Sequence, residues 1–414
     1  MKLLYQLSIR FYYVVIWVAS FFSRKASEWI NGRKRAINEI FDFQGQNNKV
    51  IWFHCASLGE FEQGKPVIES FKLLNPGWKV VITFFSPSGY NTQKKYELAD
   101  LVTYLPIDTP KNVNLFLECI KPNLAVFIKY EFWYGYLQSL SRKKIPTVFI
   151  SASFRYKQFF FKSYGSWFLS HLKNVTYYFV QDELSKVVLA QHDITQVNVS
   201  GDTRFDRVLQ TYLANEELVE IERFKGDKSV LVFGSAWDVE WDIAFHLDRA
   251  LLKGWKVVIA PHEINLTKIE KIRKQLNHKS VLFSEIMRDG KGEFDFLIVD
   301  TIGHLSRIYK YADLAIVGGG FTDGIHNILE PLTFGSPVLF GPCHQKFWEA
   351  EASINSGVGF EFEDAKDGLK TALNLMNVSL DQKELMKEKC KEFITFNSGA
   401  TNQIVKYLND LATK

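Results

Sequence analysis

Two glutamates in the first third of the chain stand where carboxylates can perform acid–base chemistry. Glu60 closes the small-residue turn "SLGE" after the apolar run "KVIWFHCA", and Glu131 follows the run "LAVFIKY". One such carboxylate can take a proton from an attacking hydroxyl, while the other holds or stabilises the reacting groups. The aromatic neighbours Tyr130, Phe132 and Trp133 either limit water around Glu131 and shift its pKa or serve only in packing.

The charged candidates also have purely structural interpretations. An acid in the first turn of a helix is favoured by the helix dipole, so Glu60 suits a cap as well as a base. The turn before it leaves backbone N–H groups free, which suits an anion or a hydroxyl. Arg204, in "VSGDTRFDR", is either a site cation or half of a surface ion pair with Asp202 or Asp206. Residue type and position leave both interpretations open.

Polar turns in the C-terminal half are rich in glycine. The runs "VFGSAW" and "IVGGGFTDGIHNILEP" can bring backbone N–H groups close to a phosphate, although neither matches the Walker or G-x-G-x-x-G pattern. A helix that begins near Asn327 would hold the phosphate at its N-terminus, with Glu330 accepting hydrogen bonds from ribose hydroxyls. Alternatively, Asn327 is an N-cap and the Glu330 side chain bonds back to it, as in a capping box. This alternative leaves glycines 318–320 unexplained.

The elements that must position these residues alternate between strands and helices. Short runs such as "KVVITFFS" and "TVFISAS" alternate with amphipathic stretches, and a second series begins with "SVLVFGSA" at residue 229. This alternation predicts parallel sheets covered on both faces. Because 414 residues exceed what one core usually serves, we predict two doubly wound α/β domains, 31–208 and 229–414. A charged linker at 209–228 joins them, and they face each other across a cleft with ligands beyond the carboxyl ends of the strands.

Composition indicates a globular protein that does not bind nucleic acid. Hydrophobic residues make up 47% and charged residues 23%, and the formal charge is only +4. Aromatic residues, at 15%, suit a thick core and contact with lipid or another apolar partner. The four cysteines are scattered without metal-type spacing, which favours free thiols in a reducing compartment.

Residues 1–30 are predicted to form a membrane-anchor or interfacial helix. The stretch from Leu3 to Phe22 is apolar and aromatic apart from Arg10. Its charge-free part is shorter than the ~20 residues of a full span, and no signal-peptide cleavage site follows. The cations that come next would keep the rest of the chain cytoplasmic; they are Arg24, Lys25, Arg33, Lys34 and Arg35. The alternative is an ordinary buried first helix.

Taken together, the motifs resemble one enzyme family. The runs "WFHCASLGEFEQGKPVIE", "KYEFW", "GDTRFDR", "FGSAWDVE", "IAPHEI", "IGHLSRIYKYADLAIVGGGF" and "HNILEPLTFGSPVLFGP" are similar to those of 3-deoxy-D-manno-octulosonic acid (Kdo) transferases, in the same order. The resemblance spans nearly the whole chain. It implies a GT-B fold of two Rossmann-like domains, the C-terminal one binding the nucleotide sugar.

The same resemblance implies a reaction and a location. Kdo would move from CMP-Kdo to the 6′-hydroxyl of a lipid A precursor (lipid IVA) in lipopolysaccharide assembly, with inversion at the anomeric carbon. No cofactor or catalytic metal is implied. The partners would be the donor, the lipid acceptor and the lipids of the inner membrane, on its cytoplasmic face.

The resemblance also assigns residues to roles. Glu60 matches the catalytic base, Glu131 matches the acid that stabilises the transition state, and Arg204 stands where the family usually has Lys. The residues that match CMP contacts are Pro261, His262, Ile302, Gly303, His304, Asn327, Ile328, Leu329 and Glu330. Three positions depart from the family pattern: His262 replaces an Arg, His304 a Glu and Gly320 a Ser.

Two rival functions make different demands on the sequence. Another GT-B transferase, using a different nucleotide sugar, would share the glycines and Glu330 but would not predict the pair "SLGE" and "KYEFW". A non-catalytic membrane-anchored binder would not need both Glu60 and Arg204. For Glu60 as a base, the helix dipole lowers the basicity, and we expect burial around Phe53, Phe61 and a bound lipid to offset this.

Overall fold

The computed structural model describes residues 1–43, 48–213, 217–247, 251–276, 279–289, 292–322 and 324–413. These residues form two compact units. The first contains the described residues of Met1–Arg207 and the C-terminal segment from Ser398 onward, and the second contains those of Val208–Asn397. Each unit is built on a sheet of seven strands.

In the first unit, helices and strands alternate after a helical N-terminus. In chain order the elements are α1 (Lys2–Ala19), α2 (Arg24–Asp42), β1 (Val50–Cys55), α3 (Leu58–Leu74), β2 (Lys79–Phe84), α4 (Pro87–Gln93), β3 (Leu101–Tyr104), α5 (Pro110–Ile120), β4 (Leu124–Ile128), α6 (Tyr134–Arg142), β5 (Thr147–Ala152), α7 (Ser166–Leu172), β6 (Tyr177–Val180), α8 (Glu183–Ala190), β7 (Val197–Val199) and α9 (Thr203–Leu213), which continues into the second unit. Short 3₁₀ turns cover Phe159–Phe161 and Ser163–Gly165.

The first sheet has the strand order β3-β2-β1-β4-β5-β6-β7, with every neighbouring pair parallel. Along β1, Ile51 and Phe53 enter the core on one face of the sheet, while Val50 and Trp52 enter the core on the other. The chain winds outward in opposite directions from β1 and β4. The turns after these two strands therefore diverge at a topological switch point, where such folds bind ligands.

The second unit repeats the architecture. Its elements are α10 (Val219–Lys225), β8 (Ser229–Ala236), α11 (Asp238–Phe245), β9 (Trp255–Pro261), α12 (Leu266–Gln275), β10 (Ser280–Leu282), α13 (Phe283–Asp289), β11 (Phe296–Ile298), α14 (Leu305–Ile308), a 3₁₀ turn (Tyr309–Tyr311), β12 (Leu314–Val317), α15 (Leu329–Thr333), β13 (Val338–Phe340), α16 (Trp348–Asn355), β14 (Gly359–Glu361), α17 (Ala365–Met376) and α18 (Leu380–Asn397). The strand order is β10-β11-β9-β8-β12-β13-β14, again parallel. Its switch point lies between β8 and β12.

The last helix, α19 (Ala400–Ala412), belongs to the first unit and not to the predicted domain 229–414. Leu408 of this helix is buried in the core of the first sheet. The carboxylate of Asp206 accepts the N–H of Thr401 at 2.7 Å and so fixes the start of the helix. The boundary was wrong because the amphipathic pattern of a helix does not specify which sheet it covers.

The predicted linker at 209–228 is also part of a compact unit. In α10 the side chain of Phe224 is buried, and the N–H of Leu218 donates to the hydroxyl of Tyr311 at 2.6 Å. Residues 214–216 of the predicted linker lie outside the described residues. We predicted a linker because the stretch is highly charged, but a few of its apolar side chains attach it to the second unit.

The predicted boundary at residue 30 falls inside α2. This helix buries Trp29 and Ile30, whereas α1 has no buried residue. One contact that attaches α1 to the first unit is the hydroxyl of Tyr5, which donates to Asp108 at 2.6 Å. Among the described residues, no helix has both the length and the apolar character needed to cross a bilayer.

Replacing Leu408 with alanine is expected to loosen the first unit alone. Its side chain is fully buried, and a large-to-small change of this kind costs about 2–5 kcal/mol of unfolding free energy. Hydrogen-exchange mass spectrometry should show faster exchange in peptides from β1 and α3. Ile243→Ala, equally buried in the second unit, is the matched control and should accelerate exchange in β8 instead. Faster exchange in β8 alone after Leu408→Ala would contradict the placement of α19.

Candidate active site

Glu60 lies where the buried strand β1 turns into α3. The hydroxyl of Ser57 accepts the N–H of Glu60 at 3.4 Å, and the Glu60 carboxylate turns back to accept the N–H of Ala56. The capping interpretation of Glu60 is therefore confirmed. The residue is nevertheless only 8% exposed, so this cap is a carboxyl group withdrawn from water.

Burial gives Glu60 an unusual affinity for protons. Removal from water is the main cause that raises the pKa of Glu60 to about 8, and the charge of Glu131 adds to it. The hydrogen bond from Ala56 acts in the opposite direction. The neighbouring Phe53 and Phe61 are fully buried, so burial outweighs the hydrogen bond before any lipid is bound. A group with a pKa near the working pH is well suited to general base catalysis.

A chain of buried polar groups holds Glu131. Trp133 Nε1 donates to Glu131 Oε2 at 2.9 Å, and His54 Nε2 lies 3.3 Å from the same oxygen. On its other side, His54 Nδ1 lies 2.9 Å from Thr83 Oγ1, which accepts from Trp52 Nε1 at 2.8 Å. His54 Nδ1 also lies 3.2 Å from the carbonyl oxygen of Thr83, and Trp133 Nε1 lies 3.2 Å from His54 Nε2. His54 therefore links Thr83 to Glu131 and Trp133, and its tautomer sets which ring nitrogen donates.

Arg204 forms a close ion pair with Asp202. Its Nε and Nη2 lie 2.9 and 2.8 Å from Asp202 Oδ2. The same carboxylate, fully buried, also accepts from Gln63 at 3.0 Å and from Gln181 at 2.8 Å. Burial alone would raise the pKa of Asp202, but the charge and hydrogen bonds of Arg204 hold it below its ordinary value. The predicted ion pair is confirmed, although its acid is buried, and Gln63 ties it to the helix that carries Glu60.

In the second unit, an aromatic cluster lies beside the switch point. His262, which follows β9, stacks on Trp237 with ring centroids 4.1 Å apart. His326 lies 4.8 Å from His262, centroid to centroid, and its Nε2 accepts from Trp237 Nε1 at 3.2 Å. Burial is the main cause that lowers the pKa of His326, and the proximity of His262 lowers it further. A neutral His326 is consistent with its role as a hydrogen-bond acceptor.

The glycine run before His326 is required by packing. A Cβ on Gly318 would lie 2.2 Å from the carbonyl oxygen of Ser235, and a Cβ on Gly320 would lie 2.5 Å from the nitrogen of Gly341. Gly319 has a φ of +93°, which side chains disfavour. Close backbone contacts therefore explain these glycines without a nucleotide.

The segment from Asn327 to Glu330 differs from the predicted capped helix, because the N-cap of α15 is Ile328 and no side chain caps it. Asn327 Oδ1 accepts the N–H of Leu329 at 3.1 Å, and its Nδ2 donates to Glu330 Oε1 at 3.0 Å. The helix α15 begins at Leu329, later than predicted, and has only 5 residues. Ile328 and Leu329 are buried, so a ligand here would meet their backbone rather than their side chains.

The other candidate CMP contacts follow β9 and β11. Pro261 ends β9. In the segment after β11, Ile302 is 89% exposed, Gly303 has a φ of +88°, and the ring of His304 packs against Phe283 with centroids 4.9 Å apart. These segments lie at the same edge of one sheet as His262, because β9 and β11 are parallel neighbours.

The sequence interpretation missed His54 and Trp237. A histidine inside an otherwise apolar strand was the available signal for His54, because buried polar residues usually have a specific partner. Trp237 stands at the end of the quoted run "VFGSAW", but its stacking depends on His262 from a neighbouring strand. The described residues contain no group of three or more His, Cys, Asp or Glu placed to hold a metal ion.

Comparison with known proteins indicates a family. Residues 33–207 match the model described as 3-deoxy-D-manno-octulosonic-acid transferase (kdotransferase). A 3-deoxy-D-manno-octulosonic acid transferase of Chlamydophila psittaci is 28% identical over 323 residues, which cover 75% of this chain and 73% of that protein. The chain carries a Kdo transferase domain over residues 33–207 and is similar to Kdo transferases over most of its length. It is accordingly a glycosyltransferase.

Two further likenesses place this glycosyltransferase in context. A bifunctional glycosyltransferase/methyltransferase of Fusobacterium nucleatum subsp. nucleatum is 27% identical over 88% of the chain, which spans 58% of that longer protein. The structure of UDP-GlcNAc 2-epimerase from Neisseria meningitidis bound to UDP-GlcNAc superposes with a TM-score of 0.63 at 15% identity, covering 87% of this chain and 100% of that one. This likeness shows the fold alone, which is two parallel-sheet α/β domains resembling GT-B glycosyltransferases.

His54→Phe is expected to impair catalysis more than folding. The variant keeps an aromatic ring beside Phe127 but removes the ring nitrogens that lie against Thr83 and Glu131, so we expect kcat to fall about tenfold or more with KM unchanged. Tyr178→Phe removes another buried hydrogen bond of the first unit, donated to the carbonyl of Leu172 at 2.7 Å, and is the matched control. Equal kcat values for the two variants, at comparable thermal stability, would exclude a positioning role for His54.

Proposed function

We propose that this transferase moves Kdo from CMP-Kdo to the 6′-hydroxyl of a lipid A precursor, with inversion at the anomeric carbon. Similarity to the family supports Kdo transfer in lipopolysaccharide biosynthesis as the reaction. The observation that carries the finer proposal is the buried Glu60 carboxyl, influenced by the charge of Glu131, at the switch point of the first sheet.

Glu60 is the proposed general base. A sugar hydroxyl is a weak nucleophile, so its proton must leave as the new bond to the anomeric carbon forms. With a pKa of about 8, the Glu60 carboxylate holds a proton far more strongly than an ordinary glutamate does. Glu131, oriented by His54 and Trp133, is proposed to stabilise the charge that develops in the transition state.

The departing CMP also gains negative charge, which a cation and oriented N–H groups stabilise. Arg204 is the proposed cation, and its ion pair with Asp202 fixes the direction of the guanidinium. Binding of CMP is proposed for Pro261, His262, Ile302, Gly303, His304, Asn327, Ile328, Leu329 and Glu330. The support for this assignment is that all of them lie at or after the carboxyl ends of strands β9, β11 and β12.

A lipid acceptor requires a membrane surface, and we place the enzyme at the cytoplasmic face of the inner membrane with α1 lying in the interface. The support is the apolar surface around this helix, where Leu3, Phe11 and Phe22 are 74%, 71% and 89% exposed. Large apolar side chains exposed together mark contact with membrane or protein. The cations Arg24 and Lys25 follow directly and suit anionic lipid headgroups.

Glu60→Gln tests the proposed chemistry. The amide still fits the cap at Ala56 but does not take up the acceptor proton, so transfer should fall by about 10²-fold or more. The assay incubates membranes containing the full chain with CMP-Kdo and tetraacylated lipid A precursor and detects the mass of added Kdo. Asp364→Asn, which alters a carboxylate cap at 2.8 Å from the N–H of Asp367, is the matched control and should keep its activity.

The outcomes separate the reaction from the role of Glu60. An absence of transfer by the wild-type protein would contradict the proposed reaction. Transfer by Glu60→Gln at the wild-type rate would remove Glu60 as the base and leave the reaction standing.

A further inference from the structure

A cavity of about 390 Å³ lies in the first unit between α1, α2 and the segment that follows β3. We infer that it binds one phosphate-bearing acyl lipid, with the phosphate at a cluster of cations and an acyl chain along apolar walls. Its lining includes three cations, Arg10, Arg33 and Lys34, and three apolar side chains, Val14, Ile37 and Ile107. The inference is independent of the proposed reaction, because any lipid of this chemistry meets the same groups.

Arg33 is the strongest indication of an anion. Its side chain is buried, with the residue only 5% exposed, and no acidic partner is found for it among the described residues. Its guanidinium lies 3.6 Å from the ring centroid of Trp29, and Nη2 donates to the carbonyl of Phe85 at 2.9 Å. Within the same described residues, Nε is buried with no hydrogen-bond partner. A buried cation with only carbonyl and aromatic neighbours is costly, and a bound anion offsets that cost.

Burial also makes the free Arg33 hold its proton less tightly than usual. Removal from water lowers the pKa of Arg33 to about 9, since the charged form is poorly solvated there. The charged side chain is therefore retained against a desolvation penalty, as expected of a group that pairs with a ligand.

Two further cations lie at the cavity, and no acidic residue lines it in the described part of the chain. Arg10 comes from α1 and Lys34 from α2, and both side chains are exposed to solvent. Together with Arg33 they form a positive cluster on two helices. A phosphate group, with several acceptor oxygens, can bond to more than one of these cations at once.

The remaining walls favour an acyl chain. Val14, Ile37 and Ile107 line the cavity, and the outer surface of α1 continues as apolar side chains such as Phe11 and Val18. Inorganic phosphate would use the cations and leave the walls unfilled, whereas a phospholipid headgroup with its chain uses both. The ligand is therefore an amphiphile and not a free anion.

The test is calorimetric titration of the full chain, in nonionic detergent, with dihexanoyl phosphatidic acid. We expect binding that is at least about tenfold tighter than that of inorganic phosphate or of the zwitterionic dihexanoyl phosphatidylcholine. The double variant Arg10→Gln/Lys34→Gln, which changes only exposed side chains, should weaken the binding about tenfold, and Arg33→Met should abolish it. Lys111→Gln, an exposed cation next to the cavity residue Asn112, is the matched control and should bind as the wild type does.

Each outcome decides a part of the inference. Equal binding of the two dihexanoyl lipids, or an unchanged affinity of the double variant, would overturn the cation site. Inorganic phosphate binding as tightly as phosphatidic acid would overturn the acyl site. In a final arm, competition by tetraacylated lipid A precursor would identify the acceptor as the source of the phosphate. Its failure to compete would instead identify a bilayer phospholipid.

Discussion

The withdrawal of the Glu60 carboxyl from water is the constraint on which the rest of the site depends. Glu60 is placed by the turn from β1 into α3, and that turn is fixed because β1 is a fully buried central strand of the first sheet. In the same place an exposed glutamate would be only a helix cap. Burial converts the cap into a carboxyl group with a raised pKa, and the nearby charge of Glu131 adds to the effect.

The polar network around Glu131 offsets the cost of placing two carboxyl groups close enough to influence each other. Two carboxylates that influence each other would destabilise the fold unless one were well bonded. Trp133 donates a hydrogen bond to Glu131, and His54 Nε2 lies 3.3 Å from the same carboxylate oxygen. The parallel register of β1 and β2 sets Thr83 opposite His54. The register of the parallel strands therefore determines part of the geometry of the site.

Local sequence patterns were sufficient for the parts of the structure that depend on short-range order. The alternation of apolar runs and amphipathic stretches predicted two parallel α/β sheets, and the strand-end position of Glu60 and Glu131 predicted where polar chemistry would gather. Long-range partners were not predictable in this way. The packing of α19 on the first sheet joins residues far apart in sequence. The contacts of Gly318 with Ser235 likewise involve two strands that no local pattern pairs.

The pKa of Glu60 is the most direct test of this account. A ¹³C NMR titration of the full chain labelled at glutamate carboxyls, with the Glu60 signal assigned by its loss in Glu60→Gln, would measure it. We expect a midpoint of about 8 for the wild type and a lower midpoint in Glu131→Gln, since the charge of Glu131 is removed. A midpoint near the ordinary value of 4.5 in the wild type would contradict it.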